Sequence, residues 1–200
     1  MRGLLIKDLS VLTRQMRIFL LMIVFFAVLP NSNMVFFAVI YAAMMPYSTL
    51  AYDERSKWDQ IANVMPYSKK EIVLSKYMLG WCFVAGTFLI AMAAETVESL
   101  FHIGSVSLTG AALAVCVAVI MMDLTLPPMF RLGVERGRMF FILIMVFLAC
   151  GGAGLVGGAV GNAGAQSLLH LLKLILPAAA AILTLISVPL SIHLYSNRDR

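Results

Sequence analysis

The sequence predicts an all-α, polytopic membrane protein. It is read as a single transmembrane domain over residues 1–200, with six transmembrane helices and both termini cytoplasmic. An amphipathic interfacial helix precedes the first span, and a short cytoplasmic helix lies between the second and third. Three observations lead to this reading. First, the chain of 200 residues is 62% hydrophobic and only 12% charged, with a mean hydropathy of +0.94. A water-soluble core cannot hide that much hydrocarbon, so lipid must solvate most of it. Second, apolar runs of spanning length alternate with short polar breaks. Third, six spans put nearly all the basic charge on one side. Arg2, Lys7, Arg14 and Arg17 fall there, as do Arg55, Lys57, Lys69, Lys70 and Lys76. So do Arg131, Arg136, Arg138, Arg198 and Arg200, and Lys173 is the exception. The outer loops 30–33, 95–105 and 161–167 contain no Lys or Arg. The positive-inside rule produces this asymmetry. The net charge of +5 therefore reports topology and does not imply a nucleic-acid partner.

Each element follows in chain order. In residues 1–17, Leu5, Leu9, Leu12 and Met16 recur at helical spacing, while Lys7, Arg14 and Arg17 lie mostly off that stripe. This reads as a helix lying in the membrane interface; a plain cytoplasmic extension of the first span fits equally well. The first span, 18–29, is short. At about 1.5 Å per residue it reaches only about 18 Å, so it needs a snorkelling Arg17, or else is re-entrant. The other spans are 34–51, 78–94, 106–126, 139–160 and 168–195, each near or above the roughly 18 residues a helix needs to cross. Met45-Pro46-Tyr47-Ser48 should bend the second of the six. In the fifth, Gly154 with Gly158, and Gly157 with Gly161, fit the GxxxG spacing that lets helix backbones approach closely. Such packing serves either one subunit or a dimer face.

Few side chains in the spans suggest chemistry. Glu95, Glu98 and His102 share a helical face, which suits metal or proton handling, but their place at the outer end of the third span suits a solvated helix end better. Lys173 lies at similar depth and could pair with Glu95 or Glu98. Asp123 lies within the fourth span, where a carboxylate is costly and needs a partner, water or a substrate; Arg131 is the nearest base in sequence. Cys82, Cys116 and Cys150 sit in apolar runs without CxxC spacing and read as small hydrophobes, with no metal site or disulfide framework. No GxSxG, HExxH or GxxxxGK[ST] motif is present, so this chain has no P-loop of its own for ATP.

The charge gathers instead in residues 52–72, YDERSKWDQIANVMPYSKKEI. Trp58, Ile61, Ala62 and Met65 form an apolar stripe on a short helix, ringed by Asp53, Glu54, Arg55, Lys57 and Asp59. Pro66 stops it. Ser68-Lys69-Lys70-Glu71 then makes a capping box, from which a new helix runs into the third span. A mixed-charge helix with an apolar stripe suits docking into another protein's groove. A tryptophan anchored in the lipid interface would leave the carboxylates unexplained, because acidic groups gain nothing from an anionic membrane surface.

The run AYDERSKWDQIANVMPYSKKEIVLSKY, followed by a span, resembles the first cytoplasmic loop of permease subunits from bacterial type-two ABC exporters. The opening MRGLLIKDL is similar to the usual start of those subunits. The likeness extends to the short permeases that export phenol-soluble modulins. It implies two six-span permeases, identical or closely related, over two copies of an ATPase subunit that binds ATP and Mg. On this resemblance the helix at residues 54–62 couples the ATPase to the spans through Asp53, Glu54, Arg55, Lys57, Trp58, Asp59, Ile61 and Ala62. It further implies a bacterial cytoplasmic membrane, an amphipathic or hydrophobic peptide cargo, and no cofactor or enzymatic activity in this chain. Larger relatives carry extracellular domains, and the very short outer loops here leave no room for one. Two other readings remain: a self-sufficient transporter or intramembrane enzyme, for which the spans offer few polar groups, and a non-transporting immunity protein.

Overall fold

Helices are the only regular elements among the described residues, as expected where the backbone must satisfy its own hydrogen bonds in lipid. A computed structural model describes residues 2–15, 17–29, 32–62, 64, 68–101, 108–144, 146 and 165–196. The elements are α1 (Arg2–Gln15), α2 (Arg17–Val28), α3 (Ser32–Ala43), α4 (Met45–Arg55), α5 (Trp58–Ala62), α6 (Lys69–Phe101) and α7 (Leu108–Leu132). A further helix, α8, covers 134–144, and α9 is Ala165–Ser196.

Four helical stretches are long and apolar enough to cross a membrane: Val35–Arg55, Lys69–Ala94, Gly110–Leu132 and Lys173–Ser196. A fifth is gained if α1 and α2, bent by 83°, count as one broken span. The fifth apolar run of the sequence is helical as far as 144. Most of its remainder lies outside the described residues, and with it the expected small-residue packing face of Gly154, Gly157, Gly158 and Gly161.

Several boundaries differ from expectation. The span 34–51 divides into α3 and α4 at Met44, whose N–H reaches the carbonyls of Ile40 (3.2 Å) and Tyr41 (3.1 Å). Pro46 explains the break, since it has no N–H to offer Ala42 and its ring crowds that carbonyl. The third and fourth spans of the sequence reading run on as helix past Ala94 to Phe101 and past Leu126 to Leu132. The second extension passes through Pro127 and Pro128. On α1 the buried face is Leu4, Asp8 and Leu12, while Leu9 is half exposed. Of the expected apolar stripe, Leu12 is buried, Leu5 half-buried and Leu9 exposed, and Asp8 joins the inward face.

Small residues govern the packing. α9 lies along α7, and α3 packs against both α6 and α7. Ala38 and Ala42 of α3, with Ala111, Ala114 and Ala118 of α7, are all but fully buried, which permits close helix approach. At Gly80 on α6, a Cβ would overlap Met122 Sδ and lie 2.8 Å from Pro46 Cγ, so three helices meet there. The outward faces of α2 and α9 carry Ile18, Leu21, Leu174 and Leu185, a surface suited to lipid.

Candidate functional site

One end of the bundle gathers the charge. Ser68 caps α6 as its S-x-x-E spacing requires: the Glu71 N–H donates to Ser68 Oγ (3.2 Å), and the Ser68 N–H donates to Glu71 Oε2 (3.0 Å). Two turns on, Lys76 points into the protein and is 1% exposed. Its ammonium donates to both oxygens of Asp8, at 2.9 and 2.8 Å, and to Asp53 Oδ2 at 2.6 Å. Lys7 donates to Asp53 Oδ1 at 2.6 Å and lies 3.1 Å from Asp8. Two ammoniums thus balance two carboxylates, and α1, α4 and α6 are joined at one point. Buried charges require such matched, hydrogen-bonded geometry.

Trp58 completes the joint. Its ring lies 4.2 Å below Lys7 Nζ, within cation–π range. It packs with Ala62 against Leu4 and Ile72, and Tyr195 of α9 closes the cluster. The indole N–H is buried with no partner among the described residues. A second link runs from α4 to α8. Glu54 accepts a 2.6 Å hydrogen bond from the Val134 N–H. The turn between α7 and α8 is made by Gly133 at φ +81, a left-handed conformation that side chains disfavour. Arg138 donates to the Tyr47 hydroxyl at 3.0 Å, and Tyr47 stacks on Phe141.

The residues that the sequence singled out here therefore divide. Asp53, Trp58 and Ala62 face inward and hold the joint. Glu54 spends its carboxylate on α8. Arg55, Lys57 and Ile61 are exposed, with Val64 beside them. Lys57 has φ 51, a strained value for a non-glycine residue, and reverses the chain between α4 and α5. The side chain of Asp59, and Met65 with the proline stop at Pro66, lie outside the described residues. The apolar stripe splits because Trp58 and Ala62 find partners on α1 and α6 while Ile61 turns away. Sequence reasoning missed Asp8 and Lys76 as a pair. The available signal was that Asp8 is the first acidic residue and the next, Asp53, lies far along the chain.

A second polar cluster sits within the spans. Pro127 has no N–H, so the carbonyl four residues earlier, that of Asp123, loses its helical partner. Ser187 of α9 replaces it, donating to that carbonyl at 2.6 Å. Tyr77 OH lies 2.6 Å from Ser187 Oγ and 2.8 Å from Ser191 Oγ. Ser187 has given away its only proton, so Tyr77 must donate to Ser187 and accept from Ser191. The relay orders α6, α7 and α9 around one proline. Ser187→Ala is expected to lower stability by about 0.6–1 kcal/mol, as such bonds do within membranes. Adding Pro127→Ala should restore it, because the new N–H reclaims the carbonyl; thermal unfolding in detergent checks both.

The carboxylate of Asp123 takes no part in this relay. It is 2% exposed, and neither oxygen has a partner among the described residues. Arg131, its nearest base in sequence, is exposed. Lys173 is exposed on α9, and the side chains of Glu95 and Glu98, like all of His102, lie outside the described residues. Among the described residues no three His, Cys, Asp or Glu groups gather to hold a metal ion.

Apolar helices of spanning length, knitted at one end by buried ion pairs, define a multi-pass membrane protein without a nucleotide-binding motif. The chain belongs to the ABC-2 family transporter proteins, whose family model matches residues 3–196. It is accordingly a permease component of an ABC transporter, and the family implies an ABC ATPase as its partner. No curated protein and no solved structure matches the chain.

Proposed function

We propose that this permease belongs to an ATP-driven exporter that moves amphipathic or hydrophobic peptides out of a bacterial cell. In this reading it has six spans, the fifth of them formed by residues 139–160, and both termini lie on the ATPase side of the cytoplasmic membrane. Two copies, or one copy and a close relative, form the path above two ATPase subunits that hold ATP and Mg. The stretch 53–62 couples the ATPase to the spans.

The observation that carries the coupling reading is the braced charged end. A helix of five residues cannot hold itself. Trp58 and Ala62 nevertheless fix α5 against α1 and α6, leaving Arg55, Lys57 and Ile61 exposed. Force applied to that exposed face reaches α1 through Lys7, α6 through Lys76 and α8 through Glu54. Electrostatic complementarity with an acidic groove would fit Arg55 and Lys57. The test is a pull-down and a turnover assay with the cognate ATPase. Arg55→Glu combined with Ile61→Asp is expected to weaken assembly, or cargo-dependent ATP turnover, by about tenfold or more, without changing the melting temperature of the isolated chain. Unchanged assembly and turnover would rule out the coupling assignment.

A further inference from the structure

Asp123 is the one buried charge in the spans for which the described protein supplies nothing. Lys76 and Asp53, also within spanning stretches, are matched to each other, and Lys76 to Asp8 as well. The polar groups around Asp123 are satisfied without its carboxylate. Its own carbonyl is taken by Ser187, Tyr77 is held by Ser187 and Ser191, and Thr125 bonds back to the Met121 carbonyl at 2.8 Å. Removing the carboxylate would therefore unmake none of these bonds. A carboxylate in hydrocarbon is costly, and it marks a site for something else.

Its depth fits that role. Within the span Gly110–Leu132, Asp123 lies about 14 Å from the charged end and about 20 Å from the other, at roughly 1.5 Å per residue. It is therefore in the middle third of the bilayer. It also lies one turn before Pro127 and Pro128. Prolines remove the hydrogen bonds that would stiffen α7 there, so α7 can bend at this point once Ser187 of α9 releases the Asp123 carbonyl.

We infer that Asp123 is a cation-binding carboxylate of the translocation path, which takes an ammonium or guanidinium group of an amphipathic cargo when α7 and α9 separate. The inference rests on the permease reading and deepens it. Buried and unpartnered, the carboxylate form is stabilised only when a positive group arrives, while the Met and Ala side chains nearby, such as Met121, Met122 and Ala118, accept an apolar chain. A charge-assisted contact then forms in a medium where it is strong.

The test uses the full-length chain in lipid nanodiscs with a lipid-soluble carbodiimide, which adds to carboxyl groups and is read by peptide mass spectrometry. Asp123 is expected to acquire the adduct, and Asp123→Asn to lack it. Dodecylammonium should slow the reaction at Asp123 by about tenfold, the size of one charge-assisted contact. Dodecanol, of equal chain length but neutral, should not slow it, and exposed Glu135 should react at the same rate throughout. Equal protection by both amphipaths would mean simple shielding and would overturn the proposal. Failure of either to protect, or of Asp123 to react at all, would overturn it as well. The assay needs no ATPase, so its outcome is separate from that of the pull-down. Asp123→Asn should melt no lower than the parent, which excludes misfolding as the cause of a negative result.

Discussion

Replacing Lys76 with Met should destabilise the protein by about 3–5 kcal/mol, the usual consequence of removing one partner from a buried ion network. Met matches the bulk of Lys, so the loss reflects charge and not a cavity. Without Lys76, Asp8 and Asp53 face each other across the joint with Lys7 alone to balance them. Both carboxylates are nearly inaccessible to water, so solvent screening cannot help. The diagnostic variant is the double substitution Lys76→Met with Asp8→Asn. It leaves one ammonium and one carboxylate, Lys7 and Asp53, and should recover most of the loss. Thermal unfolding in detergent of the single and double variants decides it. A single variant that melts with the parent would show that the network contributes nothing to stability.

Gly133→Ala should be the most damaging small substitution outside that network, at about 2.5–3.5 kcal/mol. Part is backbone strain, since a residue with a Cβ is disfavoured at φ +81 by about 1–2 kcal/mol. The rest is local, because the new Cβ would stand 2.7 Å from Glu54 Oε1 and push the carboxylate off the Val134 N–H. Losing that charge-assisted bond adds about 1.5 kcal/mol or more. Comparison with Glu54→Gln separates the two contributions, because Gln keeps an acceptor and imposes no strain. Melting temperatures for the three proteins should rank parent, then Glu54→Gln, then Gly133→Ala.

Much of this architecture was legible beforehand for simple physical reasons. Apolar runs marked α3 with α4, α6, α7 and α9 because lipid solvation demands them. The Ser68 cap and the break before Pro46 are local rules, fixed by groups within one turn of each other. Failures came where a long-range partner decided the outcome. Asp8 and Lys76 are 68 residues apart, with four helices between theirs, and no periodicity brings them together. The span expected to stop at Leu126 continues as helix through Pro127 and Pro128, where a serine on α9 takes over the carbonyl that the first proline leaves free. Trp58 was placed on the correct helix but with the wrong face outward, since the spacing of a five-residue helix cannot say which side its neighbours will occupy.

The tether among Asp8, Asp53 and Lys76 has a consequence for how such a chain can diverge. A change at any one of the three positions leaves a charge stranded, so single steps are closed to neutral drift. With Lys7 as the fourth member, replacements should come in pairs, one ammonium lost with one carboxylate. The exposed face at Arg55, Lys57 and Ile61 is under no such internal constraint and is free to follow whatever partner it meets.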